Sequence, residues 1–356
     1  MGSLGTDPRV LALARQLGLR TRGDPVAALK QFALDKVRSF IEGSGFGVES
    51  LETLRHLVAD RLSVSIEFLR TDADVARVAE EFGDYYRSLD ALLDDEFLKK
   101  KTEGLLLRHP NPHPGEHRYL AIVDARDEQT PRAYFTAWHE LAHLLVDPPQ
   151  QSFKFRATPS RDEIRKDPVE SVVDAIAGIL AFYGPIFDPV LQQTIEAHGG
   201  LNFRAIESAR SQVAPDASLL SAAFAATSRW PEPVGLLVVQ LEYKKAERRQ
   251  LRSSQREMFA RSLAELPQPR LRAVNVILHG EDNPLKIRKN MRVPPGSVLT
   301  RLFEEGADGD TAEASEDQGW WETSATGHLP RLPLRVSAIR RGSYVYGLVF
   351  LRDENR

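Results

Sequence analysis

Between Arg132 and Val146 the apolar positions Tyr134, Trp138, Leu141, Ala142 and Leu145 recur at helical spacing, which predicts a helix with one buried stripe. Thr130 suits its cap, Pro131 its first position and Pro148–Pro149 its end. Three helices are predicted before it, opened by Asp7-Pro8, by Asp24-Pro25 and by Ser50, the last running to Arg61. Leu62–Leu69 alternates apolar and polar residues like a strand, and Asp72–Phe82 returns to helical spacing. Glu103–Arg108 and Arg118–Asp124 read as a strand pair joined by the loop His109–His117.

Downstream, Asp167-Pro168 starts a helix that buries Ile176, Ile179, Leu180 and Phe182 on one side. Another is predicted from Asp188-Pro189 to His198, closed by Gly199–Gly200. Phe203–Gln212 and Asp216–Ser228 are two short helices about the turn Val213–Pro215. Beyond Trp230-Pro231 the pattern shortens. Val234–Tyr243, Arg272–Leu278, Val298–Phe303, Leu334–Arg340 and Ser343–Leu351 read as strands, with a helix over Ala246–Leu263. The acidic stretch Glu304–Gly319 is almost free of apolar residues and predicts a mobile loop. The expected class is α+β, in four regions: 1–61 helical, 62–200 around the central helix, 201–230 a helix pair, and 231–356 a sheet with helices.

Composition narrows the chemistry. The chain has 356 residues, is 42% hydrophobic and 27% charged, and carries a net charge of −3. No overall attraction to nucleic acid or membrane follows from that charge. Cysteine is absent, so a metal would be held by His and carboxylate alone. No apolar run approaches the ~18 residues of a membrane span, and a cytoplasmic location is expected.

The predicted central helix contains His139, Glu140 and His143 in the pattern H-E-x-x-H. Residues four apart share a helix face, so two imidazoles can meet one zinc ion while Glu140, one residue round, serves as general base. A catalytic zinc needs a third protein ligand. Glu170 is the best supplier, with Asp174 one turn on to fix the tautomer of a ligand His. Asp167-x-x-Glu170 also reads as a capping box, in which Glu170 would serve only its own helix; Glu163 and Asp162 are the reserve ligands. Tyr134, Tyr183, His113 and His117 are candidates for stabilising an oxyanion, and the loop with His109, His113 and His117 reads otherwise as a plain polar loop.

His139-Glu140-Leu141-Ala142-His143 after a strand ending in Ile122-Val123-Asp124-Ala125, the lead-in Arg132, Phe135 and Thr136, and then Glu170-x-x-x-Asp174 together resemble the ImmA/IrrE family. The match covers roughly Leu62–Tyr183 and departs after the third ligand, where this helix reads DAIAGILAF. The resemblance implies a zincin-like metallopeptidase with His139, His143 and Glu170 as zinc ligands and Glu140 as base. It further implies a helix-turn-helix-like middle region and a GAF-like sensory domain. The implied activity is cleavage of a partner protein such as a helix-turn-helix repressor, in stress, DNA-damage or phage defence. The rival reading is a zinc-bound scaffold that controls a repressor by docking, without cleavage. The scissile segment is expected to pair along the edge of the strand Arg118–Asp124.

The C-terminal part holds one strong charge feature. Lys244, Lys245, Arg248, Arg249, Arg252, Arg256 and Arg261 cluster in one segment, and Lys286–Arg292 (KIRKNMR) adds more. Such a face suits single-stranded nucleic acid, expected here as an activator, or is a solvated helix surface. The second helix of the middle pair has no Lys or Arg over Asp216–Ser228, so it is expected to pack rather than read DNA.

Overall fold

In the computed structural model, the described residues are 4–352 except 22, 46, 84–85, 87–88, 94–96, 98–101, 110, 127–129, 147–152, 158–166, 245, 250, 252–266, 281 and 324–326. The chain is mixed α and β. Its contacts divide it into one unit of residues 1–190 and 209–221 and a second of residues 191–208 and 222–356.

The first unit opens with α1 (Pro8–Gln16), α2 (Pro25–Glu42) and α3 (Leu51–Arg61). Asp7, Asp24 and Ser50 each cap one of them, the side chain accepting from a first-turn N–H as expected from the sequence. Next come β1 (Val64–Leu69), α4 (Asp72–Phe82), the short α5 (Leu89–Leu93), β2 (Thr102–Arg108), β3 (Tyr119–Asp124), α6 (Thr130–Val146), β4 (Phe153–Ala157) and α7 (Pro168–Ala181). The sheet runs β1-β3-β2-β4, with β1 parallel to β3 and the other pairs antiparallel. Period-two alternation sorts its two faces. Leu105, Leu107, Leu120 and Ile122 pack with Val75 and Val78 of α4 and Leu89 and Leu93 of α5. On the opposite face Val123, Ile66 and Phe68 meet Ala133 and Ala137 of α6.

Two expectations are corrected here. β3 lies between β1 and β2, so both its neighbours are in place and it offers no edge to a substrate. β4 is a strand that the sequence reading passed over; it pairs with β2 and ends the sheet among the described residues.

Helices α8 (Gly184–Ala197), α9 (Phe203–Val213) and α10 (Leu219–Arg229) follow. α8 starts four residues before the expected Asp188-Pro189, with Pro189 inside it. The N–H groups of Ile186 and Phe187 both donate to the Tyr183 carbonyl at 3.0 Å. The first turn therefore forms ahead of Pro189, which forfeits only its own backbone bond. α10 begins at Leu219 rather than Asp216, because the Ser218 hydroxyl takes the capping role and accepts from Ser221 N at 3.1 Å.

The second unit is built on an antiparallel sheet of order β6-β5-β11-β10-β7: β5 (Val234–Glu242), β6 (Arg270–His279), β7 (Thr311–Asp317), β10 (Pro333–Arg341) and β11 (Tyr344–Leu351). A small hairpin, β8 (Glu322–Thr323) with β9 (Gly327–His328), stands apart. The predicted strand Val298–Phe303 is in fact α11 (Val298–Glu305). Ser297 caps it, and Val298, Leu299 and Leu302 are buried on one side, a three-to-four spacing that outweighs the strand preference of Val and Thr. They join Leu237, Val239, Val336 and Val349 in the core on one sheet face. The predicted loop Glu304–Gly319 contains β7. Ala312 and Ala314 turn inward against that core while Glu313 and Ser315 face water, as in an edge strand blunted by charge. On the opposite face Arg335 lies over the Phe350 ring, 4.1 Å from its centroid, and donates to the Leu201 carbonyl.

Candidate metal centre

α6 and α7 build the site between them. Asp167 caps α7, accepting from Val169 N at 2.8 Å, while its other oxygen is held by Arg9 of α1 at 2.7 Å. Val172, Val173, Ile176, Ala177 and Leu180 are buried, which leaves Glu170 and Asp174 on a more open side. The Tyr134 hydroxyl donates to the Ala181 carbonyl at 2.5 Å. Glu170 lies by His143, Asp174 by His139 and Ala181 by Tyr134, so the two helices run antiparallel.

His139, Glu140 and His143 are all buried. Nε2 of His139 and Nε2 of His143 lie 3.1 Å apart. Glu170 Oε2 is 3.2 Å from the first and 3.3 Å from the second. Burial alone would raise the Glu170 carboxyl, but its contacts with His139 and His143 win and hold it well below the usual carboxylate range. The capping-box alternative does not describe this carboxylate, which reaches the imidazoles. Asp174 Oδ1 is 2.9 Å from His139 Nδ1; since a carboxylate only accepts, Nδ1 carries the proton and Nε2 of His139 presents a lone pair to its neighbours.

Electron-rich atoms this close need a cation between them or a shared proton. Ligand bonds of about 2.0 Å to a tetrahedral ion place the ligand atoms about 3.3 Å apart, close to the spacing here. The group His139, His143 and Glu170 could therefore hold a metal ion, and it is the one such group among the described residues. Glu140 sits one residue round the helix. A Cβ built on Gly104 of β2 would fall 2.8 Å from Glu140 Oε1 and 2.7 Å from Thr136 Cγ2. Glu140 thus lies against the face of β2 that α6 covers, in space left by an absent side chain. The sequence held no signal for Gly104; strand register alone brings it there.

The other sequence candidates separate from this centre. Tyr134 is buried and committed to the Ala181 carbonyl, which removes it from the oxyanion candidates. Tyr183 is buried; its backbone N–H donates to the Leu180 carbonyl. His113 and His117 are exposed in the β2–β3 loop, and His109 stacks edge-on with Tyr86 at 5.9 Å, in keeping with a plain loop. The reserve ligands Asp162 and Glu163, and the cations Lys245, Arg252, Arg256 and Arg261, lie outside the described residues. Of the predicted basic helix, residues 246–249 and 251 are described as helical. Lys244 and Arg249 are exposed, and Arg248 is paired with Glu242. No single helix among the described residues is long and apolar enough to cross a membrane.

Comparison with protein-family models and with curated proteins gives no match.

Proposed function

We propose that this chain is a zinc-dependent endopeptidase of the ImmA/IrrE kind, with His139, His143 and Glu170 as zinc ligands, Glu140 as general base, and a partner protein as substrate. The observation that carries this reading is the convergence of two imidazole nitrogens and one carboxylate oxygen within 3.3 Å of each other, beside a buried glutamate that is not part of the group. Two His and one Glu is the donor set of open, catalytic zinc sites rather than of closed structural ones.

A zinc ion held there would supply Lewis acidity toward a scissile carbonyl and toward an attacking water. The chain's own groups do the rest. Glu140 takes the proton of that water and returns it to the leaving amine as the C–N bond breaks. Asp174 holds His139 in the tautomer whose Nε2 faces the centre. Tyr134 ties α6 to α7 and so fixes the register of the two ligand pairs. The outer edge of β4 is where an extended substrate segment would add as a further strand. A folded partner such as a helix-turn-helix repressor fits a peptidase that must spare other proteins. The C-terminal sheet with α11 across it suits a GAF-like regulatory domain.

Glu140→Gln separates catalysis from metal binding, because it removes the base and no ligand. It should keep one zinc per chain and lower cleavage of the partner by at least about a hundred-fold. Full-rate cleavage by Glu140→Gln would end the peptidase mechanism. Zinc-dependent binding of the partner with no cleavage by the wild type would favour the scaffold.

A further inference from the structure

The two basic runs of the sequence start more than forty positions apart, at Lys244 and Lys286, and the fold of the second unit brings them to one corner of its sheet. β6 is the last named strand on its side. The second run pairs with it: Ala273 N donates to Met291 O at 3.0 Å, Asn290 N to Ala273 O at 2.7 Å and Val293 N to Leu271 O at 2.9 Å, and Arg272 forms a bridge with Arg292. Because this pairing is antiparallel, Arg288 and Lys289, both exposed, lie past Ala273 along the β6 edge, while Arg270, exposed as well, stands at the start of the same strand.

The first run arrives through a buried arginine. Arg272 is 2% exposed. It donates to the carbonyls of Glu242 and Asn290, each at 3.2 Å, and its guanidinium is 3.7 Å from Glu247. Glu247 also accepts from Lys244 N at 2.6 Å, so the Lys244–Arg249 segment starts at this corner. Arg292 is bridged to Arg272, and Arg270 stands two residues before Arg272 on the same strand and so on the same sheet face.

Register then adds aromatic rings. Gln240 pairs with Arg272, and Arg341 pairs with Tyr344. Val345 pairs with Val239, so Tyr344 falls beside Gln240 on the same face as Arg272. Tyr346, two residues on, shares that face and stacks on Tyr344 with ring centroids 6.5 Å apart. Tyr344 is 38% exposed. The row from Arg341 through Tyr344 to Gln240 crosses about 10 Å of sheet at strand spacing, and the buried Arg272 lies next in it, one strand on.

We propose that this corner, with Lys244, Arg249, Arg270, Arg288 and Lys289 as phosphate contacts and Tyr344 with Tyr346 as a stacking platform, binds single-stranded nucleic acid. Cations alone would serve any polyanion; the exposed Tyr344 ring, backed by the partly buried Tyr346, suits bases, which every nucleic-acid strand supplies and an acidic peptide lacks. The chemistry reads backbone and ring faces rather than base edges, so binding should tolerate sequence. The proposal stands independently of the peptidase reading.

The test is fluorescence anisotropy of a labelled single-stranded oligonucleotide with the full chain across a salt series, with unlabelled polyglutamate as competitor. Wild type should bind, with affinity falling steeply as salt rises. Arg270→Glu with Lys289→Glu should weaken binding by about ten-fold or more and flatten the salt slope by roughly 0.7 per lost phosphate contact. Tyr344→Ala should weaken binding about five-fold or more while leaving the slope unchanged. No binding at low salt overturns the proposal, as does binding unaffected by the double charge reversal. Displacement by polyglutamate at equal charge concentration, together with unchanged binding by Tyr344→Ala, assigns the corner to acidic proteins instead.

Discussion

A methyl group on Gly104 would sit 2.7 Å from Thr136 Cγ2 and 2.8 Å from Glu140 Oε1, both on the α6 side of β2. One of those neighbours is the candidate base, so a side chain here must displace the carboxylate, the threonine or the strand. Gly104→Ala is expected to retain the metal and to lower kcat for the partner by about ten- to a hundred-fold, the scale on which small misplacements of a reacting group act. KM should change little. Cleavage kinetics with zinc content on the same samples check this; wild-type kcat in Gly104→Ala would show that Glu140 is not constrained by the strand. At this scale much of the site was legible. H-E-x-x-H named three residues, and the i,i+4 spacing of Glu170 and Asp174 placed both on one face, where the structure finds them against His139 and His143. Gly104 was not legible, because the residue a strand presents to a helix depends on a register set by distant partners.

Helices with side-chain caps and a clear apolar stripe matched their expected places, as α1, α2, α3 and α7 do with Asp7, Asp24, Ser50 and Asp167. The misread elements lie where local composition opposes tertiary context. α11 is rich in strand formers, yet its N-terminus is held by Ser297 and by Glu316, whose Oε1 accepts from Val298 N at 2.7 Å and Ser297 Oγ at 3.0 Å. Its last turn is held by Arg340, which donates to the Phe303 and Gly306 carbonyls. β7 looked like solvent-exposed chain because its inward positions are alanines. Glu316 also supplies a pH test. Its Oε2 is buried without a hydrogen-bond partner, and burial raises its carboxyl above the ordinary value of 4.5 despite the opposing hydrogen bonds. The folded chain therefore holds this proton more tightly than the unfolded chain. Its stabilising contribution is fully present below the unfolded pKa and is lost as pH rises through the raised folded value. Glu316→Gln keeps an acceptor for Val298 N and buries no charge. Between pH 4.5 and neutrality the wild-type melting midpoint should fall relative to Glu316→Gln by about 2–4 °C. Parallel curves in differential scanning calorimetry would contradict this.

At the scale of the molecule, the sequence reading set 1–61 apart as a helical region, whereas α1 and α2 pack against α6 and α7 in one unit. Lys36 of α2 donates to the Leu145 carbonyl in the last turn of α6 at 3.3 Å, and Arg9 of α1 holds the cap of α7. An amphipathic helix announces that it has a partner without saying which, so this bracing could not be read from periodicity. The end of the helix pair made by the last turn of α6 and the cap of α7, next to His143 and Glu170, is thereby tied to the N-terminal helices. The most direct test of the central claim is an equilibrium zinc titration of the purified full chain beside its Glu170→Ala variant, read as stoichiometry and affinity. The account predicts one zinc per wild-type chain and an affinity at least about a hundred-fold weaker in the variant. A wild type that binds no zinc, or a Glu170→Ala chain that binds it as tightly, would contradict the account.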